Sequence, residues 1–216
     1  MAKKLKAVTQ TKETKESELY PKLVQFCKSI GIKALEINAQ RSNRGKKGEN
    51  EWRYPDVVGF KDIAAEKEDY TMELMTALGI NRSELYSFEV KRDKIDKSNL
   101  RGYILETIAN SSWANRSYLV AEGVVDEIKQ SLEELCKSFN LGFIILDKDE
   151  PKKSKIVFEA SKTELNWAAI NKLAEVSEDF QKYTDYVVIE TKRFVDTNII
   201  EPNWDSSIIE VTDNEN

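Results

Sequence analysis

Histidine is absent from the 216 residues. This excludes Ser-His-Asp and Cys-His relays and histidine metal ligands, and with them the usual zinc sites. Any general base must be a carboxylate, a lysine or an activated water. Cysteine is nearly absent too. Cys27 and Cys136 lie far apart, each within a helical pattern, and no CxxC occurs. Small buried thiols in a reducing, cytoplasmic setting are the expectation, not a disulfide framework. No apolar run approaches the length of a membrane span. The start, Met-Ala-Lys-Lys-Leu-Lys, has no apolar stretch after its basic residues and does not read as a secretory signal.

What remains is a polar, globular composition, 40% hydrophobic and 33% charged, with a net charge of −5. The charge is unevenly spread. Residues 1–55 hold 13 Lys and Arg against 6 Asp and Glu, and the remainder holds 20 against 32. A local basic end can steer a polyanion even when the whole chain is acidic. Residues 1–16 are polar and read as a flexible basic lead-in. Residues 17–200 read as one domain, and residues 201–216, with five acidic and no basic residues, as an acidic tail that frays.

The hydrophobic pattern predicts a helix from a cap at Ser17 to Gly31, then strands over 32–39, 56–60 and 85–92. Residues 61–84 read as an insertion with a helix around Tyr70–Leu78. Helices follow over 100–109, 124–139 and 163–176, the last capped by Thr163. Strands are expected over 117–121, 142–146 and 155–160, with a last one at Val187–Glu190. This order predicts an α/β fold, a mixed β-sheet flanked by helices on both faces.

One constellation points to chemistry. In the strand Tyr86-Ser87-Phe88-Glu89-Val90-Lys91, side chains alternate, so Glu89 and Lys91 share a face opposite Tyr86, Phe88 and Val90. Asp56, after Pro55, opens a neighbouring strand in the only Pro-Asp dipeptide of the chain. If those strands pair, Asp56 and Glu89 converge on one hard cation, and Lys91 stands beside it. The plain alternative is a solvated strand face with a surface ion pair. Acid-x-Lys triplets recur at Glu13, Glu127, Glu150 and Glu190, so the triplet alone says little. The loop with Arg41, Arg44, Lys46 and Lys47, near Trp52, is the nucleic-acid candidate; a solvated loop is the alternative. Asn110–Asn115 reads as a polar turn closing a helix, with substrate contact by Trp113 as the other option.

These stretches resemble the PD-(D/E)XK nuclease superfamily, whose core is a helix, three strands, a helix and a strand. They resemble more closely the restriction-endonuclease-like bacterial proteins of the HrgA type. The matching segments are Leu19-Tyr20-Pro21 with Phe26, Arg41–Gly45, Tyr54–Gly59, Ser87–Lys91 and Asn110–Asn115, over roughly residues 17–190. The resemblance implies a restriction-endonuclease-like sheet and a magnesium (or manganese) ion held by Asp56, Glu89 and the Val90 carbonyl. It implies Lys91 as the residue that orients or deprotonates the attacking water. Glu18 matches a position for a supporting acid, or is a first-turn glutamate favoured by the helix dipole. Glu106 either faces the metal or faces solvent. The implied activity is DNA phosphodiester hydrolysis in restriction or defence, with a homodimer or a partner protein both open. The alternative is a catalytically silent nucleic-acid-binding or protein-interaction module.

Overall fold

The computed structural model describes residues 16–38 and 54–205. A six-stranded mixed sheet forms its centre: β1 (Lys33–Glu36), β2 (Val57–Asp62), β3 (Ser83–Lys91), β4 (Arg116–Ala121), β5 (Leu141–Ile145) and β6 (Lys155–Phe158). Spatial order follows chain order. β1–β2 and β2–β3 are antiparallel, β3–β4 and β4–β5 are parallel, and β6 returns antiparallel to β5. The helices are α1 (Tyr20–Ser29), α2 (Asp69–Ala77), α3 (Leu100–Ser111), α4 (Lys129–Ser138), α5 (Trp167–Val176) and α6 (Glu178–Arg193).

The parallel steps need crossovers, and α3 and α4 supply them. Crossovers of one hand put both helices on one face. There Leu100 and Ile104 of α3 and Leu132 and Cys136 of α4 pack on Leu119, Ala121 and Phe143. α5 and α6 continue that layer over β1 and β2, through Ile170, Leu173, Phe180 and Tyr183 on Leu35, Val58 and Phe60. α1 covers the other face, with Leu23, Phe26 and Cys27 over Val57, Phe88, Val90 and Val120. Alternation along β3 therefore divides its side chains between two helical layers. The face carrying Glu89 and Lys91 is buried, not solvated.

Three expectations need correction. Val187–Glu190 is not a strand; it lies inside α6. Phe180, Tyr183, Val187 and Phe194 recur at helical spacing against the core. Ser177 caps the helix by accepting the Phe180 N–H, with acids in the first turn and bases in the last. That periodicity outweighs three β-branched residues in a row. Thr163 is not the cap of α5. Asn166 is, accepting from the Ala169 N–H, while Thr163 bonds the carbonyls of Ala114 and Asn115. Ser17 is not the cap of α1; it sits in a short 3-10 turn, Glu16–Glu18, and Leu19 holds the N-cap position. Residues 201–205, read from the sequence as part of the tail, pack on the domain. Trp204 is buried against Phe60 and Tyr183, its indole N–H donates to Glu190, and Glu201 pairs with Lys33 and Arg193.

Close packing of the sheet requires glycine at 142. A Cβ there would lie 2.3 Å from the Tyr118 ring and 2.8 Å from the Ala160 nitrogen. Overpacking of this kind costs about 1–3 kcal/mol. Gly142→Ala should therefore unfold at lower urea concentration than the parent, with an unchanged denaturant slope.

Candidate active site

The site forms at the end of the sheet where β2 begins and β3 ends. Val57 pairs with Phe88, so Asp56 stands one residue beyond, opposite Glu89. Pro55 has no N–H and the regular ladder stops here. The Asp56 side chain takes over: its Oδ2 accepts the Val90 N–H at 2.8 Å. Its Oδ1 accepts from the Tyr20 hydroxyl at the start of α1, at 2.7 Å. Its own carbonyl accepts the Ile37 N–H, tying in β1. Asp56 is thus held from three elements.

Lys91 is 7% exposed, and its ammonium is surrounded by acids. Nζ lies 2.8 Å from Glu89 Oε1, 2.6 Å from Glu106 Oε2 and 3.5 Å from Glu16 Oε1, and 5.4 Å from the centre of the Tyr103 ring. Glu89, 4% exposed, receives a further bond at Oε2 from Asn110 Nδ2, at 2.8 Å. The other side-chain atom of Asn110, Oδ1, is buried and has no hydrogen-bond partner among the described residues. An orphaned acceptor on a residue bonded to the Glu89 carboxylate suits a cation or an ordered water.

With every group ionised, Asp56, Glu89, Glu106 and Glu16 outnumber Lys91 by three charges. Burial pushes the Asp56 carboxyl up to about 8, and the Glu89 charge adds to this; the bonds from Val90 and Tyr20 only partly offset them. Burial also raises Glu16. Burial opposes the Lys91 charge, but Glu89, Glu106 and Glu16 outweigh it, so Lys91 holds its proton more firmly than a free lysine.

Asp56, Glu89, Lys91 and Glu106 therefore gather at one end of the sheet, and the Val90 backbone is tied to Asp56. Glu106 faces the cluster, not solvent. Glu18 does not join it; it is exposed, and Glu16 reaches Lys91 instead, because the 3-10 turn points the earlier acid inward. Arg41, Arg44, Lys46, Lys47 and Trp52 lie outside the described residues. Trp113 is 1% exposed, set edge-on against Phe180 and Tyr183, and is a core residue. Within the same segment, Asn115 is a staple between the Leu85 N–H and the Thr163 carbonyl. Sequence reasoning missed Glu16, Tyr20 and Asn110 as members of the site. Tyr20 and Asn110 lie inside the segments that carry the resemblance, but nothing local says that their polar atoms turn toward Asp56 and Glu89.

Among the described residues, no three His, Cys, Asp or Glu side chains are arranged as a metal-binding group. Two carboxyl groups at neighbouring strand ends, each oxygen accepting one hydrogen bond among the described residues, still suit magnesium. That ion commonly takes one or two carboxylates and keeps waters. No helix among the described residues is long and apolar enough to cross a membrane.

No protein-family model matches the chain, and no curated protein matches it. A solved structure, a protein of unknown function from Silicibacter pomeroyi, aligns over 86% of this chain and 95% of its own, at 16% identity and a TM-score of 0.40. That likeness is too distant to carry an argument.

The Asp56 environment predicts a pH effect. A carboxyl at about 8 when folded and near 3.8 when unfolded binds its proton more tightly in the folded state. Stability should then fall as pH rises from about 4 to about 8. Thermal melts in EDTA across that range should show a steeper decline for the parent than for Asp56→Asn. Each kcal/mol appears as about 2–4 °C in a chain of this size.

Proposed function

We propose that the chain is a metal-dependent nuclease that hydrolyses DNA phosphodiester bonds. The observation that carries this reading is the position of Asp56, one step beyond the Val57–Phe88 pair and bonded to the Val90 N–H, beside Glu89, whose carboxylate is bonded to Lys91. The order α1, β1, β2, β3, α3, β4 agrees with the helix, three strands, helix and strand of the resembling superfamily, with α2 inserted between β2 and β3. Restriction or defence against foreign DNA is the setting the resemblance suggests.

Asp56, Glu89 and the Val90 carbonyl would hold a magnesium or manganese ion. The surplus of carboxylates and the orphaned Asn110 Oδ1 fit that role. Such an ion supplies Lewis-acid polarisation of a phosphate oxygen and makes water more acidic. The remaining work falls to the chain. Lys91, firmly protonated, contributes positive charge to the phosphate as negative charge builds on it. It orients the attacking water and does not deprotonate it; the proton passes to a carboxylate of the cluster. Asn110 fixes the Glu89 carboxylate, and Tyr20 fixes Asp56. Glu106 and Glu16, with side chains 27% and 35% exposed against 5% for Glu89, are the Lys91 partners an incoming phosphate displaces.

The second reading is a nuclease fold without turnover, serving as a nucleic-acid-binding or protein-interaction module. It is favoured by the engagement of Lys91 with three carboxylates, which neutralise it before any substrate arrives.

Single- and double-stranded DNA incubated with magnesium or manganese separates the two. The nuclease reading expects cleavage that EDTA abolishes and that Asp56→Asn and Lys91→Met each reduce by about 10²-fold or more. Circular dichroism checks that both variants fold, since removing one partner of a buried ion pair is destabilising. Calorimetric titration with manganese, independent of activity, should show binding that Asp56→Asn weakens. Salt-sensitive DNA binding without metal-dependent cleavage would establish the second reading instead. Glu106→Gln removes a negative charge from a site that must admit a polyanion. It should lower the KM for DNA by about three- to tenfold at low salt, with the difference shrinking as salt is raised.

A further inference from the structure

β2 and β3 are adjacent antiparallel strands, a pairing that two to five residues usually connect. Here residues 63–82 intervene and contain α2. The base of this insertion is clamped. Arg82 forks onto Asp62, at 3.2 Å from Nε and 2.5 Å from Nη2, and its guanidinium lies 4.0 Å above the Phe194 ring. The helix beyond the clamp has no buried residue and belongs to none of the three core clusters among the described residues. Its less exposed side carries Thr71, Met72 and Met75. Its exposed side carries Tyr70, Leu74 and Leu78 at 73%, 57% and 64% exposure, followed by Ile80 at 45%. The spacing i, i+4, i+8 makes one continuous apolar stripe. Most of the large exposed apolar residues elsewhere are scattered singly, which is ordinary.

We propose that this stripe docks a partner protein that presents an apolar helix face edged by lysine or arginine. The charge around the stripe selects that partner. Residues 63–81 hold Glu66, Glu68, Asp69 and Glu73 against Lys67 alone. On the helix, Asp69 and Glu73 lie along one edge of the stripe. This acidic edge repels a nucleic-acid backbone. Pairing of α2 with α2 of a second copy would bring two acidic edges together, a like-charge arrangement that suppresses association. A basic amphipathic helix meets both the apolar stripe and its rim. The insertion joins the end of β2 to the start of β3, whereas Asp56, Glu89 and Lys91 lie at the other end of those strands. A partner on α2 therefore sits about 20 Å from the site, at 3.4 Å per strand residue, and leaves it open. The proposal does not depend on the nuclease reading.

Three labelled peptides of about 18 residues, long enough to be helical on binding, test it by fluorescence anisotropy. One is a leucine/lysine amphipathic helix, one a leucine/glutamate helix, and one a lysine/serine peptide with no apolar face. The leucine/lysine peptide should bind at least about tenfold more tightly than either of the others. Leu74→Glu should weaken it by about tenfold or more, the loss expected for one buried leucine, even though the variant adds a negative charge. Val195→Glu, a charge change at another exposed apolar residue, should leave binding intact. Equal binding of the lysine/serine peptide would overturn the proposal by showing charge attraction alone, and equal losses in the two variants would overturn it by showing that the loss is not specific to the stripe. A concentration-dependent dimer in light scattering that Leu74→Glu dissolves would overturn it by assigning the stripe to a second copy. Leu74 is exposed and glutamate is a good helix former, so the variant should keep the parent's thermal stability.

Discussion

A one-residue slip between β2 and β3 would carry Glu89 and Lys91 to the α1 side of the sheet and put Phe88 and Val90 among α3 and its neighbours. The register that prevents this is fixed from both faces. Val57 and Phe88 are buried under α1, while Val58 and Phe60 are buried under α5 and α6. Gly59 lets the layers close, because a Cβ there would lie 2.8 Å from the Ile32 side chain, and its carbonyl accepts the Tyr183 hydroxyl. With the register set, Asp56 meets Glu89 because the ladder allows no other neighbour.

The charge arrangement follows from that constraint. A lysine and a glutamate two residues apart on a strand point the same way, and here the direction is inward. Burying them together is tolerable because the ammonium finds Glu89, Glu106 and Glu16, while Glu89 also finds Asn110. The arrangement is overcompensated in the negative sense. A cluster meant only to neutralise a lysine needs one carboxylate. Four carboxylates, one of them a strand-opening aspartate with a raised pKa, and an orphaned amide oxygen are the features on which the proposed cation site rests.

The two ends of the β2–β3 pair serve different surfaces. At one end the strands run directly into the charged cluster. At the other they diverge into an insertion whose base is fastened by Arg82, Asp62 and Phe194 and whose helix turns its apolar residues outward. The same pair of strands thus holds an acidic cluster and an apolar projection apart on a rigid frame.

By itself the sequence determined the mixed α/β sheet, the helices read over 17–31 and 100–109, which form as α1 (Tyr20–Ser29) and α3 (Leu100–Ser111), and the shared face of Glu89 and Lys91, because strand and helix periodicities are local properties. It also singled out Asp56 through its unique Pro-Asp. It misread Val187–Glu190, where β-branched residues imitate a strand, because the helical spacing of Phe180, Tyr183 and Val187 has meaning only once there is a core to pack on. Tertiary structure alone decided that Glu16 and not Glu18 meets Lys91, that Glu106 turns inward, and that Tyr20 and Asn110 hold the two acids. Those contacts join residues from α1, β2, β3 and α3, and the direction of a polar side chain across such distances is set by packing, not by its neighbours in the chain.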